Sequence, residues 1–411
     1  MRLKGFTIIP WIVISIFSLI IGASTLHYLV TPPLEMSIFL TITIILSSLV
    51  VYISARSFKR WNILLGIFAI TAFILVGFLA SNSVYLSQEE HRELPAITRS
   101  LSDKGDGHTA VIYFTHGEPP AYSAMPWIET FHELDADGVS FIPAPFRAFF
   151  LNNLRSEYLM IGGSYHNKEH QQMIKSLEDS MPEQKAKGTR FYLAFLDSDP
   201  RPDAMAIQAL NEGASKMVIA PVFLTISSHT KAGQEMIEAL ELERYGVDVS
   251  MAEPLWNSPS LKQMFVTRSN LHLGGTDKTK VGILLVGHGQ PDDWDKIYAS
   301  QTEQENLFRE DVRQLLIQDG YEPEMIKLAW MEFKEPKIGG AVKELLSNGA
   351  SKIFVFPASI SASSIHSDIQ IPLEAQKAGV PKSIEVINMG AWGNDPLVIQ
   401  AIREKILTCN P

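Results

Sequence analysis

Three short apolar runs in the chain each stop at a side chain able to bind a metal ion or move a proton. VGILLVGH ends at His288, IKLAWME at Glu332, and KIFVFPASISASSIH at His366. Imidazole accepts borderline divalent ions such as Fe, Co, Ni or Zn, and a carboxylate adds charge compensation. The same imidazoles are poised to take up protons near neutral pH. An earlier segment carries the same design: AVIYFTH ends at His116, FYLAFLD at Asp197, and APVFLTISSH at His229. Each residue also has a plainer reading. A His-Gly after a strand is ordinarily a turn, a strand-end glutamate is a solvated rim residue or a charge at a helix N-terminus, and His366 in its serine-rich turn is a helix cap. The earlier set reads equally as a second polar patch or as a vestigial copy of the later one. No GxSxG, HExxH, Walker loop or GxGxxG stands in a setting that would give it chemistry.

The elements that must position these side chains follow from pattern. Each run is short, continuous, apolar and followed by a helical pattern, as a strand buried on both faces of a parallel sheet reads. Chemistry in open α/β sheets gathers beyond the carboxyl ends of the strands, so the three later side chains should face one crevice. The phrases NEGASKMVIAPVFLTISSH and SNGASKIFVFPASISASSIH, each following a helix, are alike enough to indicate a duplicated lobe. Strict strand–helix alternation predicts an α/β fold of two Rossmann-like lobes with parallel sheets, residues 109–256 and 257–411, and a cleft between them as the default ligand site. Helices are expected at Ser123–Leu134, Pro145–Glu157, from Lys168, at Ser258–Ser269 and at Ser300–Gln318. His108, His132 and His272 are expected at the surface.

Residues 1–82 read as membrane. Three mostly apolar stretches, Thr7 to Val30, Met36 to Ala55 and Asn62 to Ala80, each approach the length a helix needs to cross the hydrocarbon. Residues 83–108 read as a polar linker. His27 falls near the end of the first span, where an interfacial position is the simpler role. Arg2 and Lys4 before the first span, no Lys or Arg in the first loop, and Arg56, Lys59 and Arg60 in the second place the amino terminus in the cytoplasm. Three crossings then leave the remainder outside it, on a multi-pass protein of the cytoplasmic membrane. The net charge is −10, with +4 on the first 88 residues and −14 on the rest, which argues against a nucleic-acid partner. The one cysteine, Cys409, excludes an internal disulfide and a cysteine-rich metal site.

At about residues 110 to 405 the chain resembles the class II chelatases, which insert a divalent metal into a tetrapyrrole and include ferrochelatase and the sirohydrochlorin chelatases. HGEPP, the span from DGVSFIPAP through RSEYLMIGGSYHNKEHQ, and APVFLTISSHTKAG are similar in order and spacing to ferrochelatase segments. GHGQP looks like that family's histidine turn, which implies metal binding and proton acceptance at His288. YASQTEQ, with Tyr298 and Gln301, follows as it does in ferrochelatases. Two departures mix the signatures. SSIHSDIQIP puts His366 where a ferrochelatase has an acidic residue, and Glu332 in WMEFKEP is similar to the central glutamate of the sirohydrochlorin cobalt or nickel chelatases.

The resemblance implies a membrane-anchored, ferrochelatase-like enzyme of haem and tetrapyrrole biosynthesis. His288, His366 and Glu332 would be the catalytic and metal-binding set. His116, His229, Asp197, Trp294, Tyr298 and Gln301 would contact substrate; Trp294, Trp330 and Met331 could stack on the ring or simply pack the fold. No permanently bound cofactor is implied. The divalent metal, Fe2+ or alternatively Co2+ or Ni2+, is a substrate, and the partners are the tetrapyrrole and the lipid bilayer. The alternatives are a sirohydrochlorin cobalt or nickel chelatase and a non-catalytic extracytoplasmic haem- or metal-binding protein.

Overall fold

The computed structural model describes residues 8–57, 63–139 and 142–411. Arg2, Lys4, Lys59 and Arg60, on which the expected orientation rests, lie outside the described residues, as do the span starts Thr7 and Asn62 and the Ser140-Phe141 pair of DGVSFIPAP. Packing divides the chain into two compact units. One comprises Met1–Arg92 with Ala121–Gly162, and the other comprises Glu93–Pro120 with Gly163–Pro411.

Among its described residues the first unit holds five α-helices: α1 (Ile8–Val30), α2 (Pro33–Ser57), α3 (Ile63–Leu86), α4 (Met125–Ala136) and α5 (Arg147–Ile161). The first three have mean hydropathies of 2.1, 2.3 and 2.8, and each is long and apolar enough to cross a membrane. Their outward residues are also apolar, including Ile12, Ile16, Ile44, Leu64, Phe68 and Leu75. A helix that is hydrophobic all round is not solvated by water. Helices α1 and α3 meet at glycines. A Cβ on Gly22 would stand 2.0 Å from the Ile74 carbonyl oxygen, and one on Gly77 would stand 2.1 Å from that of Leu19.

Residues 121–162 follow β1 in sequence, and chain order alone assigns them to the first lobe. Hydrogen bonds tie them instead to the ends of the apolar helices. The Arg155 guanidinium donates to the Tyr28 and Thr31 carbonyls at 2.6 and 3.0 Å, where the end of α1 leaves acceptors without helical partners. The Tyr122 hydroxyl donates to the Val30 carbonyl at 2.9 Å, and the Asn82 amide to that of Ala144 at 2.9 Å. His132, expected at the surface, is half-buried with Nε2 2.5 Å from the Leu86 carbonyl.

The second unit carries two four-stranded sheets. The first has β1 (Thr109–Thr115), β2 (Arg190–Phe195), β3 (Lys216–Pro221) and β4 (Asp248–Met251) in the order β2-β1-β3-β4. The second has β5 (Val281–Gly287), β6 (Ile326–Trp330), β7 (Lys352–Pro357) and β8 (Glu385–Asn388) in the order β6-β5-β7-β8. Every pairing is parallel, as the strand–helix alternation predicts. The duplication extends to single bonds. Leu196 donates to the Thr115 carbonyl and Met331 to that of Gly287, both at 2.9 Å; Val222 donates to Phe114 and Ala358 to Val286, both at 2.8 Å. Both Asp199-Pro200 and Glu335-Pro336 are cis. His116, Asp197 and His229 therefore occupy the strand ends that match those of His288, Glu332 and His366.

Helices α6 (His166–Ser180), α7 (Pro182–Ala186), α8 (Pro202–Asn211) and α9 (Ser228–Glu238) complete the first lobe. The second has α10 (Pro259–Leu271), α11 (Ala299–Gln318), α12 (Ile338–Ser347), α13 (Ile371–Lys377) and α14 (Pro396–Leu407). One core runs beneath both sheets. Val111, Tyr113 and Val218 of the first sheet and Ile283, Leu285, Phe354 and Phe356 of the second share it with Met173 of α6, Phe265 of α10, Phe308 of α11 and Ile402 of α14. The stretch before β1 is no free tether. Arg99 is buried and donates to the Leu210 carbonyl at 3.5 Å, while Asn211 accepts from the Thr98 amide at 2.8 Å. His108, expected at the surface, is buried with Nδ1 2.5 Å from Asp106 and Nε2 3.3 Å from the Tyr192 hydroxyl, partners that make burial of its polar ring tolerable.

Gly77→Ala should destabilise the helical unit by about 1–3 kcal/mol, the ordinary cost of overpacking. Equilibrium unfolding of the full-length protein in mixed detergent micelles measures it.

Candidate active site

In the second lobe the apolar strand β5 ends at Gly287 and the chain turns at once through His288 and Gly289. Gly289 has φ +82°, and a Cβ there would stand 2.5 Å from the Glu332 carbonyl oxygen, so the turn requires glycine. Glu332 closes the turn by donating its amide to the His288 carbonyl at 3.1 Å. Glu305 of α11, only 2% exposed, accepts from the His288 amide at 2.5 Å, from the Gly289 amide at 3.4 Å and from the Ser359 hydroxyl. Beside it the buried Arg309 lies 3.8 Å from the Trp330 ring and donates to the Ala329 carbonyl at 2.6 Å. Trp330 is thereby packing rather than ring contact, and the side chain of Arg309 leaves no room for a Cβ at Gly287.

His366 opens a π-turn, His366–Gln370, that runs into α13. Such turns recur at functional sites because they re-aim side chains. The His288 and His366 rings stand 5.7 Å apart at 89°. His288 Nδ1 lies 2.7 Å from the Gly289 carbonyl, and His366 Nδ1 lies 2.5 Å from Gln370 Oε1. A carbonyl can only accept, so each Nδ1 carries a proton, and in the neutral ring the lone pair lies on Nε2. Burial lowers the His366 pKa to about 4; His288 beside it acts in the same sense and Glu332 opposes. A neutral imidazole takes a metal ion without first losing a proton. Among the described residues no three His, Cys, Asp or Glu side chains converge closely enough to hold an ion together. Of the expected trio, His288 and His366 come together, and Glu332 does not complete a three-residue set with them.

The first lobe resolves differently. His116 Nδ1 lies 2.6 Å from Asp197 Oδ2, which also accepts from the Gly117 amide at 3.3 Å. Half of the His116 side chain is exposed, but the surrounding walls are dense enough that burial disfavours its charge. The Asp197 carboxylate outweighs that effect, with help from the Gly117 carbonyl and Glu118, and raises the imidazole to about 9. Burial alone would raise Asp197; His116 instead holds it well below the usual carboxylate range. The His229 ring is 4.8 Å from that of His116, and burial followed by the His116 charge lowers it to about 3. His166, on α6, is lowered to about 3 by the same two causes.

The two sets share one electrostatic neighbourhood. His229 feels His288, while His366 feels His116 and also acts on His166. The structure thus brings together His116, Asp197 and His229, and separately His288 and His366 with Glu332 within their field. Trp294 and Tyr298 pack edge-to-face at 6.2 Å in the loop between β5 and α11. Tyr298 directly precedes α11, and Gln301 lies in its first turn. The Trp294 Nε1 and Gln301 Oε1 atoms are buried without a hydrogen-bond partner. Helix α11 meets the first lobe where Gln304 accepts from the Ile226 amide at 2.8 Å, three residues before His229.

Sequence reasoning missed Glu305, His166, His170 and Gln370. His166 and His170 carried a signal in HNKEH, since positions i and i+4 share a helix face. Glu305 carried none, being one of several acidic residues along a helix.

The sequence profile of the ferrochelatase family matches residues 108–409. The chain belongs to the ferrochelatase family. By that membership it is a metal chelatase of the tetrapyrrole-handling class. Among solved structures, SirB from Bacillus subtilis with Fe3+ is similar at 14% identity over 73% of this chain and 94% of its own, with a TM-score of 0.47. The sirohydrochlorin chelatase SirB from Bacillus subtilis subspecies spizizenii in complex with cobalt is similar at 13% identity over 73% and 94%, with a TM-score of 0.43. CbiX, the terminal enzyme of sirohaem biosynthesis in denitrifying bacteria, is similar at 14% identity over 73% and 98%, with a TM-score of 0.40. No curated protein matches the chain.

The His116–Asp197 pair has a pH signature. A folded-state pKa of about 9 lies above the ordinary 6.5, so the pair's contribution to stability is fully present below 6.5 and is lost as pH rises through about 9. The thermal midpoint should fall across that interval in the wild type and lose this component in Asp197→Asn. A histidine NMR titration should show one imidazole with a midpoint near 9 that moves down in the same variant.

Proposed function

We propose that the protein inserts a divalent metal, Fe2+ by preference, into a porphyrin, and that α1 to α3 anchor it in the cytoplasmic membrane for a step of haem biosynthesis. The observation that carries this reading is the pair of imidazoles at His288 and His366, 5.7 Å apart at adjoining strand ends, each with Nε2 free, in a chain of the ferrochelatase family. Insertion exchanges one M2+ for the two pyrrole N–H protons of the ring, so a site must deliver an ion and receive two protons. His288 and His366 present lone pairs for both tasks, and Glu332 compensates the incoming positive charge.

The first-lobe set plays another part in this reading. An imidazole already protonated at neutral pH accepts no proton and repels a cation. His116, held charged by Asp197, is therefore assigned to an anionic carboxylate on the ring periphery, with His229 beside it. Trp294, Tyr298 and Gln301 are assigned to the ring itself, and the unpaired Trp294 Nε1 supports that assignment. Because porphyrin is planar and rigid, contacts remote from its nitrogens must bend it before a metal enters.

A second reading is favoured by the donor set. Two imidazoles and a carboxylate suit Co2+ or Ni2+ as well as Fe2+, so sirohydrochlorin with cobalt or nickel is the alternative pair. Full-length protein in detergent, assayed with Fe2+, Co2+ and Ni2+ against protoporphyrin and sirohydrochlorin, separates the two. Preference for Fe2+ with protoporphyrin is expected, and turnover restricted to sirohydrochlorin would select the alternative. No product with any pair, joined to haem binding that survives His288→Ala and His366→Ala, would leave a binding protein. Each of those variants should abolish insertion while preserving the thermal midpoint, since half-buried strand-end residues contribute little to the core.

The orientation proposed from the basic residues puts the catalytic unit outside the cytoplasm. Reporter fusions after residues 60 and 90 should report cytoplasmic and extracytoplasmic positions respectively. Equal cytoplasmic signal from both would reverse it.

A further inference from the structure

The loop that delivers His366 has no strand to hold it. It leaves β7 at Pro357 and runs through Ser359-Ile360-Ser361-Ala362-Ser363-Ser364-Ile365, a serine-rich stretch whose side chains readily bond to its own backbone and so specify no single path. Beyond the contacts it makes within its own lobe, it is held from the other lobe at every second residue. The Ser361 hydroxyl lies 3.2 Å from His170 Nε2. The Ser363 amide donates to Glu169 Oε2 at 2.6 Å. The Ile365 amide donates to Glu118 Oε1 at 3.1 Å. The three contacts fall at positions 361, 363 and 365, and the next residue is His366.

We infer that Glu169 and Glu118 of the first lobe are positioning residues that set His366 against His288, a role that rests on the reading of His366 as a metal ligand. Both bonds are charge-assisted, the strong kind of hydrogen bond, and both go to backbone amides, so they fix the path of the main chain. Both carboxylates sit on elements that carry the first lobe's own polar set. Glu118 is two residues beyond His116, and Glu169 lies on α6 between His166 and His170. His170, wholly buried, is itself held with Nδ1 2.7 Å from the Tyr113 hydroxyl of β1. Within its own lobe the loop is held by Trp392 and Gly393, whose amides donate to the Ile360 and Ser361 carbonyls at 3.0 and 2.9 Å. Gly393 has no room for a side chain because a Cβ would stand 2.4 Å from Glu169 Oε1. The carboxylate is thus seated between two segments of the second lobe.

The test uses Glu169→Ala, Glu118→Ala and the conservative Glu169→Gln in full-length protein, with and without His366→Ala. Two measurements are made: hydrogen–deuterium exchange of the 359–366 segment, and Co2+ affinity by visible absorption alongside the KM values for metal and tetrapyrrole. Both alanine variants should speed exchange in that segment, weaken Co2+ and raise the metal KM about tenfold or more, with the tetrapyrrole KM little changed. Glu169→Gln, whose amide oxygen still accepts from Ser363, should recover most of the loss. On the His366→Ala background, Glu169→Ala should add nothing, because a residue that acts through another has no effect once that other is gone. Unchanged exchange in both alanine variants overturns the contact itself, whatever the site's chemistry. Faster exchange with unchanged Co2+ affinity, or an equal loss on both backgrounds, overturns the positioning role. His366→Ala binding Co2+ as the wild type does would overturn the metal-ligand reading and this inference with it, and is told apart from the other failures by that single variant.

Discussion

Strands β1 and β5 each stop with the amides that follow beyond the reach of any neighbouring strand, and the side chain that takes up those amides decides what the histidine there becomes. In the second lobe that side chain is Glu305, which rises from the helix beneath and accepts from both His288 and Gly289. Its carboxylate is committed to the backbone, and the His288 ring turns to the Gly289 carbonyl. In the first lobe the amide of Gly117 is taken by Asp197, from the tip of the adjacent strand, and Asn167 takes that of Glu118. Asp197 also reaches the His116 ring and charges it. Two copies of one strand-end design have thus diverged electrostatically, through the origin of a single acidic group.

That divergence gives the site its polarity. Imidazoles crowded into one space cannot all be charged, and the one with a carboxylate partner keeps the proton while burial discharges His166, His229 and His366. His366 is left a neutral donor, while the charge on His116 is held in a pair with the Asp197 carboxylate. The asymmetry needs no difference in fold between the lobes, only a carboxylate placed to reach a ring in one and turned to the backbone in the other.

Much of this was legible in the sequence, because strand ends and repeated phrases are local signals. The stops at His116, His229, His288 and His366, the strand–helix alternation and helices such as Ala299–Gln318 follow from apolar periodicity, which records how deeply a residue is buried. What a residue is buried against is not recorded there. Residues 121–162 read as lobe helices, yet Arg155 and Tyr122 bond to the end of α1. His108 looked like surface in a polar stretch, but Asp106 and Tyr192 make its burial tolerable. Glu305 and Glu169 were invisible because an acidic residue on an amphipathic helix is ordinary until its partner is known.

The core shared by the two sheets has a mechanical consequence. Phe265 packs against both Phe308 and Phe356, and side chains of α6, α10, α11 and α14 fill the space without a break between one sheet and the other. Close-packed interiors of this kind have low compressibility. The two lobes are therefore not the halves of a hinge but the jaws of a vice set to one width. On the proposed reading, a ring held between such lobes is the partner that bends, and the protein keeps its width.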